Sequence, residues 1–93
     1  MSIREVFEKN MQAKLDEWKD RLELLKEKAD EEEVNLQLEY YTLIDEAKLG
    51  LEDAHKKLQL LKQAGDEEWE ELKAEVKTTW DLLDELIRSL TLP

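Results

Sequence analysis

A chain of 93 residues can form one small domain, spanning residues 1–93, whose compact fold buries only about two thirds of the unfolded surface. Charged residues make up 42% of it and the net charge is −11, which argues against binding to DNA, RNA or an anionic membrane, since these partners require a cationic face. The absence of cysteine excludes disulfides and thiol catalysis.

The first predicted element is a helix over residues 3–63. This segment contains no proline and only one glycine, Gly50, and its polar positions are mostly Glu, Lys, Gln and Asp, which favour helix. Acid-to-base pairs four residues apart support the assignment and would each add about 0.2–0.5 kcal/mol. These pairs are Glu5 with Lys9, Glu17 with Arg21, Glu52 with Lys56, and Asp53 with Lys57.

An apolar stripe recurs every eleven residues along this segment. Its clearest series is Phe7, Trp18, Ala29, Tyr40 and Leu51. A period of about 3.67 residues per turn is close to that of a straight helix and predicts long helices packed along their length. Glu33 is the polar member of the stripe.

A break is predicted at residues 63–68. Gly65 can adopt the left-handed conformation that ends many helices, and Asp66 can cap the next one. Acidic residues then fill the first turn, where the helix dipole favours negative charge. The second helix is predicted over residues 67–91, and its stripe consists of Trp69, Leu72, Val76, Trp80, Leu83, Ile87 and Leu90.

Residues 30–35 leave two all-α architectures open. Four adjacent acids repel one another there, but no glycine or proline forces a turn. An uninterrupted first helix would be ~90 Å long, and the second, at ~36 Å, would cover only part of its stripe. We therefore expect a coiled-coil hairpin that pairs as an antiparallel homodimer with a three-helix cross-section, the chains crossing near residues 33–36. The alternative is a monomeric three-helix bundle with a break near residues 30–35.

The apolar members of both stripes are the predicted interaction residues. They are Phe7, Met11, Leu15, Trp18, Leu22, Leu25, Leu36, Tyr40, Ile44, Leu51, Leu58, Leu61, Trp69, Leu72, Val76, Trp80, Leu83 and Ile87. The face near the proposed crossing is widened by Val34, Leu38, Tyr41, Leu43 and Leu49. We expect the tryptophans to pack in the core with their indole N–H groups reaching water or a carboxylate.

Glu52 and His55 have the Glu-x-x-His spacing of di-metal helical bundles. Such a site needs two of these motifs and further inward glutamates, whereas His55 is the only histidine. Acid pairs such as Asp84 and Glu85 are explained by a solvated helix face, because acid–base catalysis requires carboxylates held in a cleft. We therefore predict no metal site, no cofactor and no enzymatic activity.

A lipid-surface or client-shielding amphipathic helix is the alternative function. Helices that bind lipid surfaces carry Lys or Arg beside their apolar face, but the second helix has only Lys73, Lys77 and Arg88 among many acids. The N-terminal residues lack the features of a signal peptide, and no apolar run approaches eighteen residues. We expect a cytoplasmic protein that does not enter the membrane.

One segment carries a family resemblance. The pattern Gly65-Asp66-x-x-Trp69-x-x-Leu72-Lys73-x-x-Val76-x-x-x-Trp80-x-x-Leu83, with Trp18, Lys28-Ala29-Asp30, Tyr40, Lys57-Leu58 and Leu61-Lys62, resembles the small bacterial coiled-coil stress-response proteins. Glu67-Glu68 and Thr78-Thr79 depart from the small residues that often precede the two tryptophans in that family. The resemblance implies a cytoplasmic, all-helical, non-enzymatic protein that acts in responses such as salt or light stress. Its mechanism would be self-association or docking on a partner helix.

Overall fold

The structure, a computed structural model, describes residues 2–90 as three α-helices. Helix α1 spans Ile3–Asp30, α2 spans Val34–Gln63 and α3 spans Asp66–Ser89. Successive helices run antiparallel, and the bundle measures 50 × 20 × 17 Å. The all-α prediction is confirmed for the described residues, which contain no strand.

The predicted uninterrupted helix over residues 3–63 is wrong, and a break near residues 30–35 is present instead. The backbone N–H of Glu31 donates to the Lys28 carbonyl and closes α1, while Glu33 is extended, at φ −65° and ψ 157°, and precedes α2. In a continuous helix, like charges three and four residues apart would repel one another, as Asp30 with Glu33 and Glu27 with Glu31. A break also allows the stripe of α1 to be buried by the same chain, which supplies the larger driving force.

Asp30, the last residue of α1, accepts hydrogen bonds from α2 across this break. Its carboxylate accepts a hydrogen bond from the Tyr41 hydroxyl, and its backbone carbonyl accepts one from Gln37 Nε2 at 2.7 Å. The hydrogen bond to Asp30 raises the pKa of the Tyr41 phenol, with burial and the carboxylate charge acting in the same direction. These contacts connect the end of α1 with the second turn of α2.

The second break lies where it was predicted, but its local conformation differs. Gly65 is extended, at φ −71° and ψ 167°, so the expected left-handed cap is wrong. Gly65 also takes the N-cap position that was expected for Asp66, which is instead the first residue of α3. Glu67 and Glu68 lie in the first turn as expected. The predicted end of the helix, at 91, lies outside the described residues.

The three apolar stripes meet in one core that runs the length of the bundle. Its buried members are Leu15, Trp18, Leu22, Leu25, Ala29, Ile44, Ala47, Ala54, Leu58, Leu61, Trp69, Val76, Trp80, Leu83, Ile87 and Leu90. None of the described polar or charged residues is buried as a whole. Burial of apolar side chains therefore dominates the stability of the fold.

Helix α2 lies close to both neighbours, because its inner face carries small residues. Ala47 and Ala54 are fully buried, and Gly50 lies against Leu83 of α3. Side chains of this size allow helix axes to approach closely, as ridge-and-groove packing requires.

Helices α1 and α3 lie farther apart, and aromatic side chains fill the space between them. Phe7 packs edge-on against Trp69 with ring centroids 5.7 Å apart, and Trp18 packs against Trp80 at 6.4 Å. Lys73 lies over the Phe7 and Trp69 rings at 5.4 and 5.2 Å. Aromatic pairs at such distances contribute about 0.5–1.5 kcal/mol beyond the area that they bury.

The indole N–H groups of Trp69 and Trp80 do not donate to a carboxylate of residues 2–90. Trp80 Nε1 donates to the backbone carbonyl of Met11 at 3.2 Å, and Trp69 Nε1 is buried with no hydrogen-bond partner among residues 2–90. Both rings contact α1, where Trp69 packs against Phe7 and Trp80 against Trp18. The prediction that the tryptophans pack in the core is confirmed for all three, Trp18 included.

Arg4 joins the ends of all three helices. Its Nη2 donates to the Leu61 carbonyl at 3.3 Å, its Nη1 lies 3.3 Å from Asp66 Oδ1, and its Nε lies 3.7 Å from Glu8 Oε2. The guanidinium also lies 5.5 Å from the centre of the Trp69 ring. This residue therefore links the start of α1 to the α2–α3 turn.

Only one of the four predicted acid-to-base pairs forms a salt bridge within residues 2–90. Lys57 Nζ lies 3.1 Å from Asp53 Oδ2 and also donates to Thr79 Oγ1 of α3 at 3.0 Å. The other three predicted pairs are not within 4.0 Å in residues 2–90. Exposed ion pairs contribute little to stability, so the helices do not depend on them.

Candidate interaction surface

The structure places most of the predicted interaction residues inside the core of a single chain. Those buried are Leu15, Trp18, Leu22, Leu25, Ile44, Leu58, Leu61, Trp69, Val76, Trp80, Leu83 and Ile87. Those partly buried are Phe7, Met11, Tyr40, Leu51 and Leu72, while Leu36 is exposed. The antiparallel dimer required an uncovered stripe on an uninterrupted helix, and that premise is absent because α2 folds back on α1.

A surface groove remains between α1 and α2. It has a volume of about 670 Å³ and is lined only by residues of these two helices. Its lining comprises Gln12, Leu15, Asp16, Lys19, Leu22, Glu23, Lys48, Leu51, Glu52, His55 and Lys56. We refer to it as the α1–α2 groove.

The floor of the α1–α2 groove is apolar and its walls are charged. Leu15 and Leu22 of α1 belong to the buried core, and Leu51 of α2 is only partly buried. A groove with an apolar floor between two helices is a form of surface that accepts an amphipathic helix.

Charge alternates along each wall of the groove. The α1 wall carries Asp16, Lys19 and Glu23, and the α2 wall carries Lys48, Glu52 and Lys56. Spacings of three and four residues place each set on one helix face. All six side chains belong to exposed residues.

The register of the two helices sets opposite charges across the groove. Tyr41 contacts Asp30 where α1 and α2 are connected. Glu23 on α1 and Lys48 on α2 each lie seven residues, or about two helical turns, from this contact and therefore at similar heights along the groove. A further turn reaches Lys19 and Glu52, and the next reaches Asp16 and Lys56. We call these three heights along the groove levels, and each level has one acid on one wall and one base on the other.

These opposite charges are not joined within the chain. In the described part of the chain, no ion pair within 4.0 Å connects the two walls. Asp16 accepts a hydrogen bond from Gln12 of its own helix at 3.1 Å, and the three wall lysines have no ion-pair partner among residues 2–90. The walls thus present unpaired charges of both signs to solvent.

The Glu-x-x-His pair lies on the same surface. Glu52 and His55 both line the α1–α2 groove, and His55 is exposed. Within residues 2–90, no group of three or more His, Asp or Glu side chains is arranged to hold a metal ion. In this fold the pair contributes to the polar wall of the groove.

A second apolar feature lies on the outer face of α2. Leu38, Leu49 and Leu60 stand eleven residues apart and are exposed by 63%, 65% and 57%. Asp45 and Asp53 lie on the same face, so it lacks the continuous basic flank that lipid-surface helices carry. Val34, like Leu38 and Leu49, was expected to widen a buried face, but it is exposed.

The charged groove walls do not follow from the apolar spacing within each helix. Which charges face each other depends on the register of α1 on α2, and that register is fixed by the turn at residues 31–33. The usable signal was the alternation of sign at positions 16, 19 and 23 and at positions 48, 52 and 56.

None of the helices described by the structure is long and apolar enough to cross a membrane. Comparison with protein-family models, with curated proteins and with solved structures finds no match to this chain.

Proposed function

We propose that this protein is a non-enzymatic interaction protein that binds an amphipathic helix in the α1–α2 groove. The observation that carries the proposal is the groove itself, with a leucine floor between walls of unpaired alternating charges. A helix suits this shape because residues spaced three and four apart can reach the floor while its flanks meet the walls.

The expected binding is transient rather than obligate. Leu15 and Leu22 are already largely buried by the chain's own core, so a partner gains apolar contact mainly at Leu51. The walls then supply specificity and association rate more than affinity. A role in a bacterial stress response, in the cytoplasm, is part of this proposal and rests on the resemblance of residues 65–83.

A fluorescent label in the groove tests the proposal. Since the chain has no cysteine, His55→Cys provides a single attachment site for a solvent-sensitive dye on the groove wall. Thr78→Cys, at an exposed position of α3 outside the groove, is the matched control. Each labelled protein is titrated with unlabelled protein and with synthetic amphipathic helices that carry acidic, basic or alternating charges.

We expect the dye at position 55 to shift to shorter wavelength with at least one of these additions, while the dye at position 78 does not respond. A response confined to position 78, or none at position 55 with any addition up to millimolar concentration, would contradict helix binding in the groove.

A further inference from the structure

We infer that the α1–α2 groove is covered by the same face of a second copy of this chain, in a dimer with a two-fold axis parallel to the helices, so that the two grooves face each other. The inference rests on the proposed function, in which the α1–α2 groove is the interaction surface, and names the α1 and α2 helices of a second copy as its partner. It follows from the charges of the two walls, which are opposite to each other at every level.

The two-fold axis brings unlike walls together. Rotation by 180° about an axis along the groove places α1 of one copy over α2 of the other at the same height. Asp16, Lys19 and Glu23 of one copy then face Lys56, Glu52 and Lys48 of the second copy, in that order. The interface is isologous, so each opposite-charge contact occurs twice.

Other pairings are less complementary. A uniformly acidic helix would face Asp16, Glu23 and Glu52 in the groove, and a uniformly basic helix would face the three wall lysines. An antiparallel arrangement of two copies, with α1 over α1 and the axis at Lys19, would oppose Asp16 to Glu23 and Lys19 to itself. With the axis between Asp16 and Lys19, these two residues pair but Glu23 faces the uncharged Gln12. Juxtaposed like charges select against such partners. Only the parallel two-fold arrangement matches the sign at all three levels.

The face is also large enough for a specific interface. Helices α1 and α2 extend along a bundle 50 Å long and about 20 Å wide. A stable protein–protein contact of standard size buries about 800 Å² per partner. The charge of −11 on each copy opposes association at long range, so the local pairing of the walls decides which arrangement of the two copies is favoured.

Charge reversal at the middle level gives a specific test. In the dimer, position 19 of each copy faces position 52 of the other. The Lys19→Glu variant therefore has two glutamates at each of these two contacts, and the Glu52→Lys variant has two lysines at each. Each variant alone should dimerise at least about tenfold more weakly than the wild type in sedimentation equilibrium at low salt. An equimolar mixture of the two should form a heterodimer, because every middle-level contact is again between opposite charges.

Lys77→Glu is the control, since it changes the charge by the same amount on α3, outside the groove. It should weaken dimerisation less than Lys19→Glu does. Circular dichroism of each variant verifies that the helices remain folded, which is expected because positions 19, 52 and 77 are exposed.

The inference is overturned if the wild type stays monomeric at several hundred micromolar, or if mixing the two variants does not restore association. These failures are separable from that of the proposed function. A monomeric wild type whose label at position 55 still responds to a synthetic helix keeps helix binding and removes the second copy. A label that responds to neither removes both.

Discussion

A β-carbon at Gly50 would lie 2.6 Å from Leu83 Cδ2, so the close contact of α2 with α3 at this level depends on the absence of a side chain at position 50. Glycine in a helix interior costs about 0.8–1 kcal/mol relative to alanine. In this structure the cost is offset by the packing of a buried leucine against the helix backbone.

Gly50→Ala should therefore show little net gain in stability, because improved helix propensity is opposed by displacement of the Leu83 methyl group in a packed core. In a Leu83→Ala background the opposing contact is gone, and the same substitution should stabilise by about 0.8–1 kcal/mol. Urea unfolding of the four proteins measures this double-mutant cycle. Equal effects of Gly50→Ala in both backgrounds would show that the contact has no energetic consequence.

The two α3 tryptophans should respond differently to phenylalanine. Trp80→Phe removes the hydrogen bond to the Met11 carbonyl, whereas Trp69→Phe removes a buried donor without a partner among residues 2–90. A buried donor without a partner, such as Trp69 Nε1, destabilises the fold by about 1–3 kcal/mol, and Trp69→Phe removes this cost. Chemical denaturation should find Trp80→Phe more destabilising than Trp69→Phe by about 1–2 kcal/mol. The opposite order would mean that the indole of Trp69 has a partner in solution.

The start of α2 can be stabilised by one substitution that conserves charge. Glu33 occupies the N-cap but makes no side-chain hydrogen bond to the first turn. Aspartate has the shorter side chain that reaches these N–H groups, so Glu33→Asp should raise the free energy of unfolding by about 0.5–1 kcal/mol. Glu32→Asp, one residue earlier, is the control and should have little effect. Equal responses of the two variants would argue against a helix start at Val34.

Tyr41 provides a pH-dependent test of the α1–α2 turn. Because the hydrogen bond to Asp30 raises the phenol pKa above its ordinary value of about 10, the stabilising contribution is complete below that pH and is lost as pH rises through the folded-state pKa. Absorbance titration near 295 nm, with Tyr41→Phe to assign the signal, measures this pKa. Asp30→Ala should lower it, and an unchanged titration in that variant would contradict the contact.

Much of the fold follows from local patterns that act within one helix. The stripe predicts which face of each helix is buried, and the glycine and acidic cluster at residues 65–68 predict the second break. The first break does not follow from the sequence alone, because no glycine or proline causes it. It combines carboxylate repulsion at residues 30–33 with the gain from burying the α1 stripe in the same chain, and the sequence does not show their relative size.

The candidate site was less accessible from sequence, because it depends on relations between helices. Lys19 and Glu52 are ordinary exposed residues when each helix is viewed alone. They become members of facing walls only after the turn at residues 31–33 fixes the register of α2 on α1. The Glu-x-x-His spacing, by contrast, is visible in the sequence, but His55 lies on a groove wall where residues 2–90 place it in no group of three potential metal ligands.

Amide chemical-shift mapping tests helix binding in the α1–α2 groove most directly. Spectra of uniformly labelled protein are recorded on dilution from millimolar to micromolar concentration, and again with the alternating-charge synthetic helix. We expect the largest shift changes to fall within residues 12–23 and 48–56, which line the groove. Changes concentrated on the outer face of α3, or spectra unaffected by both dilution and the helix, would contradict it.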